Sequence, residues 1–497
     1  MKSLKYTLGL CLVLMGLMTS CKESIIDITP ATKNAAEDFY KSESQFNQAV
    51  IAGYNSLLTM PSGNWNLSEV RSDNGLELLS NAQRDVNDVG YFIISSQTGV
   101  LQTVWSQRYV TVYRSNILLD KIEGFSFARV NQFKAEGRFL RALAYFDLVR
   151  YFGDVPMALK VLSFDEAKFT PRTPVATVYD AIVDDLKFAA DNLPEIYTAA
   201  GDKGRATKWA AKALLGRVYL TMAGFPLKQA DKLALAKTQL ADVIAQQTKY
   251  FAASVPAAFR DMFKAVNDNK YHVFEVQYVS GGLRLGNYAA FDMAFQYPSQ
   301  WSAFQPSGYD GSPSPLLVKG WSNTDKRKYA TLDTGYTDTK TGAKSNRVQY
   351  TKFLEKGSTI PVDRYDHPNN YPLIRYEDVL LMYAEILNEE VSTPPAQAVT
   401  ILNRIRTRAG MPNITPATKA DFRLAMEQER QWEFCGEGLR WHDLVRTERA
   451  LPVMNKYMID NNVNKQRPIT ADELIYPIPQ KEMLINPGFW KQNPGYN

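Results

Sequence analysis

Apolar residues in the first half of the chain recur at helical spacing. In residues 131–152, Phe139, Leu143 and Phe146 fall on one stripe with polar positions between them, and Gly153 ends the run. Periodicity of this kind predicts amphipathic helices that bury one face. Further helices are predicted over residues 43–60, 100–122, 174–193, 207–223 and 231–247.

Short turns between these segments predict helical hairpins that stack side by side. The run LLGRVYL (214–220) carries the L-G-x-x-Y core of a tetratricopeptide helix, in which Gly216 would allow close contact with a neighbouring helix. No clean repeat period accompanies this core. Helix pairs that bury their faces on one another leave a concave surface for a partner.

The pattern changes in the middle of the chain. Residues 271–279 alternate like a strand, Gly281-Gly282 marks a turn, and a polar segment runs to residue 370. The predicted fold is therefore mainly α, with tetratricopeptide-like helix pairs scaffolding an irregular, loop-rich half that has minor β structure. C-terminal helices are predicted over residues 374–390, 396–409 and 418–434. The predicted regions are a leader (1–20), a helical region (21–270), an irregular region (271–373), and C-terminal helices with an extended tail (374–497), all within one domain.

The N-terminus resembles a bacterial lipoprotein leader. Lys2 and Lys5 precede an apolar run over residues 8–18, which is too short to span a membrane and is typical of a secretory signal. The small residues Thr19 and Ser20 then lead directly to Cys21. We expect lipidation of Cys21, which would anchor the protein without a spanning helix; the alternative is ordinary cleavage nearby.

The composition bears on possible partners and on disulfide bonds. The chain has 57 basic and 52 acidic residues, and loss of Lys2 and Lys5 leaves 55 against 52. This near-neutral balance gives no case for nucleic acid or acidic membranes. Cys11 leaves with the leader and Cys21 takes the lipid, so only Cys435 remains. No intramolecular disulfide is expected, and Cys435 is predicted to be a small buried residue.

Candidate catalytic and metal-binding groups are few. Glu429, Glu433 and Glu437 recur every four residues, which would suit a glycosidase only if a sugar could lie between two of them. The alternative is an ion-pair lattice with Arg430, Arg440 and Arg446. His272, His367 and His442 lack metal-ligand spacing. Asp363, Asp366 and His367 form a cluster in sequence, for which a bound cation is the weaker hypothesis. No catalytic motif, cofactor or metal site is predicted.

Aromatic residues in turn-rich segments are the candidate ligand contacts. Residues 296–315 combine large rings with Pro, Gly and Ser, which disfavour helices and strands. Sugars present apolar C–H faces ringed by hydroxyls, so a binder needs aromatic planes beside polar groups. The candidates in this segment are Tyr297, Trp301, Phe304 and Tyr309.

A second turn-rich segment near residue 65 offers polar partners for the same ligand. Its candidates are Trp65, Arg71, Asp73, Asn81 and Arg84. Each aromatic could instead be an anchor in the core, and Asp73 could be a cap or turn partner. If the ligand hypothesis holds, Trp301 should be accessible to solvent and close to Trp65 or Asp73. Trp321, and the tryptophans at 105, 209, 432 and 441, are expected to be structural.

Several motifs occur in order along nearly the whole chain. Beside the lipoprotein leader, they are AAEDFY (35–40), EGRFLRALAYFDLVRYFGDVP (136–156), RYEDVLLMYAEILNE (375–389), LNRIRTRAG (402–410), ERQWEFCGEGLRWHDLVR (429–446) and YPIPQKEMLINPGFWKQNPGY (476–496). Together these motifs resemble the SusD/RagB family of Bacteroidetes outer-membrane lipoproteins.

The resemblance implies a nutrient-binding protein on the outer face of the outer membrane. It implies tetratricopeptide helix pairs, no catalytic activity, and a SusC-like TonB-dependent transporter to which the bound glycan is delivered. It also implies that the segment after the first helix and the irregular middle loops form the ligand face, with Asp73 as the closest single match. The alternatives are a peptide-binding member of the same transport class, a helical-repeat adaptor without a nutrient ligand, and a surface glycosidase.

Overall fold

A computed structural model describes most of the chain and divides it into two units, residues 1–48 and 49–497. In the first unit only residues 39–48 are described, and all packing reported below lies within the second. The described residues are 39–75, 84–250, 259–287, 290, 293, 312–333, 335–337, 342–346, 348–355, 365–461 and 467–496.

Helices dominate the described residues. In chain order they are α1 (Glu43–Asn55), α2 (Met60–Asn64), α3 (Arg84–Gly90), α4 (Gly99–Lys121), α5 (Val130–Phe152), α6 (Phe164–Lys168), α7 (Val175–Asn192), α8 (Lys208–Ala223), α9 (Lys232–Ile244), α10 (Gln247–Tyr250), α11 (Pro315–Gly320), α12 (Lys328–Thr331), α13 (Tyr376–Glu389), α14 (Ala396–Arg408), α15 (Lys419–Glu433), α16 (Arg440–Arg446), α17 (Ala450–Asp460) and α18 (Gln480–Met483). Each long helix predicted from periodicity is present, whereas α16 and α17 were not predicted as separate helices.

The long helices stack in succession, as the hairpin prediction requires. Helix α4 packs on α5, α5 on α7, α7 on α8, α8 on α9, α9 on α13, and α13 on α14. Gly216 allows α8 to approach α9 closely, because a Cβ atom there would lie 2.6 Å from Leu240 Cδ2. The predicted role of Gly216 is confirmed.

The described strands form only two-stranded antiparallel sheets. The longest pair joins β3 (His272–Val276) to β8 (Tyr371–Arg375), with irregular register along the pair. Strand β3 lies within the predicted strand at 271–279. The shorter strands are β1 (Val155–Pro156), β2 (Arg172–Thr173), β4 (Leu332–Asp333), β5 (Tyr336–Thr337), β6 (Lys344–Ser345) and β7 (Gln349–Tyr350), paired as β1–β2, β4–β7 and β5–β6.

The core confirms most of the structural assignments made for tryptophan and cysteine. Trp105, Trp209, Trp321 and Trp441 are buried, and so is Cys435. Burial raises the pKa of the Cys435 thiol well above its ordinary value, so this residue is a packed side chain and not a reactive thiol. None of the helices in the described ranges is both long and apolar enough to cross a bilayer.

The stretch from residue 61 to residue 69 differs from its prediction. The sequence predicts a turn-rich segment here, but the chain continues from α1 through a 3₁₀ turn and α2 into a π-helical turn over Trp65–Glu69. Pro61 lies in the first turn of α2, where proline is tolerated. The Pro and Gly residues here therefore mark a change of helix type and not a loop.

Candidate functional site

The two segments that carry the predicted ligand contacts meet at their described ends. Gly75 and Pro313 form an isolated antiparallel β-bridge, and the Ser314 amide donates to the Asn74 carbonyl at 2.8 Å. We call residues 74, 75, 313 and 314 the junction. Residues 74 and 75 directly follow the segment that contains Trp65 and Asp73, and residues 313 and 314 belong to the aromatic segment 296–315. The two segments are far apart in sequence.

Two buried tyrosines hold the junction from the interior. Tyr350 Oη donates to the Asn74 carbonyl at 3.0 Å, and Tyr457 Oη donates to the Gly75 carbonyl at 2.5 Å. Burial raises the pKa of Tyr350 well above its ordinary value, so its hydroxyl keeps its proton. No sequence pattern indicates these contacts. The junction backbone is therefore fixed on a rigid scaffold, as binding loops commonly are.

Asp73 lies beside the junction in a bidentate ion pair. Arg440 donates to both carboxylate oxygens, from Nε at 2.7 Å and from Nη2 at 2.8 Å. Gln431 Nε2 also donates to Asp73 Oδ2 at 3.0 Å. The carboxylate is thus oriented by two side chains from the C-terminal helices, as a turn partner would be. Its contact with a ligand stays a prediction.

Trp65 is placed in the interior, which corrects its assignment to a ligand face. The side chain is 2% exposed and meets Tyr350 edge to face at 4.9 Å between ring centroids. Its burial follows from the helical conformation of the segment, which turns the ring into the core. The indole face is therefore covered by protein and not open to a sugar.

Arg71 is likewise a structural residue, against its prediction as a ligand contact. It is buried, and its Nη1 and Nη2 atoms donate to the carbonyls of Val89 and Glu473 at 2.9 and 3.0 Å. Its guanidinium lies 3.4 Å from the centroid of the Phe92 ring, a cation–π geometry. The side chain therefore links three segments that are distant in sequence, and its contacts are with protein groups.

The ligand contacts of the remaining candidates stay predictions. Arg84 begins α3. The expected proximity of Trp301 to Asp73 stays a prediction, supported only by the meeting of their segments at the junction. The candidates outside the described residues are Cys21, Asn81, Tyr297, Trp301, Phe304 and Tyr309.

The recurring glutamates Glu429 and Glu433 are buried in an ion-pair network. Arg327 Nη1 donates to Glu429 Oε1 at 2.6 Å and to Glu433 Oε2 at 3.0 Å. Arg375 donates to Glu433 and to Glu437 at 2.8 Å each. A guanidinium therefore fills the space between the two helical carboxylates that a glycosidase would need for its sugar.

The pKa directions of these two carboxylates fit a structural network. Burial raises the pKa of Glu429, against the opposing charge of Arg327. Burial would also raise the pKa of Glu433, but the charges of Arg408, Arg375 and Arg327 outweigh it and hold that pKa below its usual range. A carboxyl group with a raised pKa beside one with a lowered pKa resembles the acid and the nucleophile of an enzyme. Here, however, arginine side chains cover both carboxylates.

The predicted arginine partners of this lattice were wrong. Arg430 pairs with Asp378 at 2.7 Å, Arg440 with Asp73, and Arg446 with Glu385 at 2.5 Å. Helical spacing identifies neighbours on one helix, whereas buried charges are neutralised across the fold. The partners that do hold the glutamates are Arg327, Lys352, Arg375, Arg406 and Arg408.

Asp366, one member of the cluster considered for a cation, is bound by protein donors. The Asp366 carboxylate accepts hydrogen bonds from Ser280 Oγ at 2.6 Å and from the amides of Gly281 and Gly282 at 3.0 Å. It therefore fixes the predicted Gly281-Gly282 turn, and its oxygens are used by protein donors. No group of three or more metal-ligating side chains occurs in the described ranges, and Asp363 lies outside them.

A cleft of about 370 Å³ opens where α8 and α13 end against α15 and α16. Its charged walls are internally paired; for example, Arg446 and Arg430 both bond to Asp443 at 2.8 Å. Burial would raise the pKa of Asp443, but these two arginines lower it to about 2. Arg440 also lines the cleft, so a single side chain links it to Asp73 and the junction.

With the fold and this geometry in place, comparison with known families decides the assignment. Residues 284–496 match the model of the SusD family, and residues 31–220 match a second model described as starch-binding associating with outer membrane. The chain belongs to the SusD family. The two matched ranges meet in space at the junction, since Gly75 lies in one and Pro313 in the other.

Individual relatives match over nearly their whole length. SusD-like protein P2 of Formosa agariphila is 27% identical, with all of both chains covered. A SusD superfamily protein from Parabacteroides distasonis is 25% identical at a TM-score of 0.77, covering 90% of this chain and 99% of its own. A laminarin binding SusD-like protein is 25% identical at a TM-score of 0.74, covering 92% and 100%. The fold is thus the mainly α, tetratricopeptide-like SusD fold.

Proposed function

We propose that this SusD-like protein binds an oligo- or polysaccharide at the cell surface and delivers it to a SusC-like TonB-dependent transporter. The observation that carries the proposal is the match along 92% of this chain and 100% of the other to a laminarin binding SusD-like protein. The junction adds a physical reason, because it brings the base of the aromatic segment to Asp73 on a rigid helical body. The protein binds without hydrolysing its ligand.

Glycan binding is tested by titrating the purified protein with a panel that includes laminarin oligosaccharides. We expect binding to at least one glycan, and an affinity at least tenfold lower for Trp301→Ala, since a stacked aromatic anchor is worth about 1.4 kcal/mol or more. Tyr113→Ala is the matched control, because Tyr113 is an exposed aromatic on α4. Binding of peptides but not of any glycan would favour the peptide-binding alternative.

Absence of catalysis is tested on the same glycans. We expect no new reducing ends after prolonged incubation with any glycan that binds. Turnover that persists through purification and disappears with Glu433→Gln would contradict the proposal and support a glycosidase. Because that substitution removes a charge from a buried network, its folding is checked by circular dichroism.

Anchoring and delivery need the intact cell. We propose that Cys21 is acylated and holds the protein in the outer membrane, facing the exterior. Metabolic labelling with a palmitate analogue should mark the wild type and not Cys21→Ser, and protease added to whole cells should reach the protein. A large β-barrel protein should co-purify with it; its absence, with labelling intact, would favour a free-standing adaptor.

A further inference from the structure

An exposed apolar surface lies where the C-terminal tail crosses the segment around α6. Its five members project between about two-fifths and three-quarters of their area into solvent, and we call them the apolar patch. They are Phe164 (75% exposed), Phe169 (59%), Leu484 (62%), Ile485 (46%) and Phe489 (41%). Grouped exposure of this kind marks a contact surface, whereas single exposed apolar residues need no explanation.

Direct contacts join the two segments of the apolar patch. The rings of Phe169 and Phe489 meet edge to face, with 6.1 Å between centroids. Trp490 Nε1 donates to the Thr170 carbonyl at 3.0 Å. Because a ring contact and a hydrogen bond link them, the segments present one surface to solvent. Its exposed side chains belong to a short helix and to turns.

Basic residues outnumber acidic ones in the two segments that carry the apolar patch. Residues 160–172 and 480–491 contain five basic and three acidic residues. Lys481 and Lys491 are exposed, and Lys168 Nζ lies 5.6 Å from the Phe169 ring centroid. Of the acidic residues, Glu166 is engaged by Lys160 at 3.1 Å. The basic residues of these segments are Lys160, Lys168, Arg172, Lys481 and Lys491, and the acidic ones are Asp165, Glu166 and Glu482.

We propose that the apolar patch docks on an anionic lipid bilayer. Its phenylalanine, leucine and isoleucine side chains would enter the headgroup region, and the lysines would approach lipid phosphates, as in interfacial membrane contacts. The flanking lysines favour lipid over a protein partner, because lysine is depleted at protein interfaces, whereas interfacial membrane segments combine phenylalanine and leucine with lysine and arginine. This contact is separate from glycan binding and would orient the helical body on the membrane.

Vesicle co-sedimentation tests the proposal. The mature chain carrying Cys21→Ser, so that no acyl chain contributes, is mixed with vesicles of phosphatidylcholine and phosphatidylglycerol or of phosphatidylcholine alone. We expect binding to the anionic vesicles that weakens with salt. Phe164→Ser/Phe169→Ser/Phe489→Ser should reduce it at least tenfold, and Lys481→Glu/Lys491→Glu should remove the preference for phosphatidylglycerol. The control, Ile93→Ser/Val266→Ser, alters exposed apolar residues elsewhere and should bind as the wild type does.

Each other outcome overturns the proposal. It fails if the wild type ignores anionic vesicles, or if the triple variant and the control lose binding equally. If the triple variant binds vesicles normally but no longer co-purifies with a β-barrel protein, the apolar patch is a protein interface. All substituted side chains are exposed, and equal melting temperatures exclude misfolding as the cause of a loss.

Discussion

At the scale of single residues, substitution of a buried charged side chain is expected to destabilise the fold most. Arg327 donates to Asp325, Glu429 and Glu433, and all four side chains are fully buried. The carboxylates tolerate burial because the guanidinium satisfies several oxygens at once. Each charge in this network needs its partner, but the network as a whole adds little net stability, because the cost of desolvating the charges offsets much of their attraction.

Replacing Arg327 therefore leaves three buried carboxylates without their shared partner. We expect Arg327→Met to lower the free energy of unfolding by about 3–5 kcal/mol, measured by urea denaturation. Arg423→Met is the control, because Arg423 is exposed in its pair with Glu389 and exposed pairs contribute about 1 kcal/mol or less. Equal losses in the two variants would contradict the assigned importance of burial.

The buried histidine His442 predicts acid sensitivity. Burial, with smaller contributions from the charges of Arg150 and Arg217, holds its pKa well below the ordinary value. The folded state thus keeps His442 neutral, while the unfolded state takes up a proton near pH 6.5. Its contribution to stability is complete above that pH and is lost as the pH falls, at up to about 1.4 kcal/mol per pH unit.

The test compares how steeply the free energy of unfolding changes with pH, and not its value at one pH. His442→Gln should reduce the dependence of unfolding free energy on pH between neutral and mildly acidic conditions, measured by urea denaturation across that range. Some dependence should remain, because burial also lowers the pKa of His272. An unchanged slope would mean that His442 becomes protonated in the folded protein.

At the scale of elements, close approach of α8 and α9 depends on a missing side chain. A Cβ atom at Gly216 would meet Leu240, which is fully buried, whereas one at Gly201 would meet nothing within 4 Å. We expect Gly216→Val to destabilise the protein by about 1–3 kcal/mol through overpacking, and Gly201→Val to have little effect. Melting temperatures of both variants measure the difference, and equal shifts would contradict it.

Elements with strong local patterns could be predicted, and elements set by distant partners could not. The helix expected at 418–434 is Lys419–Glu433, and the expected strand contains His272–Val276. Trp65 was misplaced because turn-forming residues around it lie at a change of helix type. The partners of Glu429 and Glu433 were misassigned because Arg327 reaches them from a remote segment, which no local spacing reveals.

At the scale of the whole molecule, β7, α16 and α17 support the junction. Asn74 and Gly75 are bonded from behind by Tyr350 and Tyr457, and Asp73 is oriented by Arg440. These contacts come from regions far apart in sequence, so the base of the site is as rigid as the core behind it. A ligand that contacts residues carried by this base loses little affinity to ordering the protein.

Such a site predicts that glycan binding and global stability are linked. A ligand that binds only the folded protein adds about 2.7 kcal/mol to the free energy of unfolding at one hundred times its dissociation constant. Thermal and urea denaturation with the glycan identified in the panel should show this increment. Trp301→Ala, measured at the same glycan concentration, should show a smaller one while its stability without glycan stays near that of the wild type. An increment that survives Trp301→Ala and disappears with Arg449→Ala would instead place the ligand in the cleft beside Arg440.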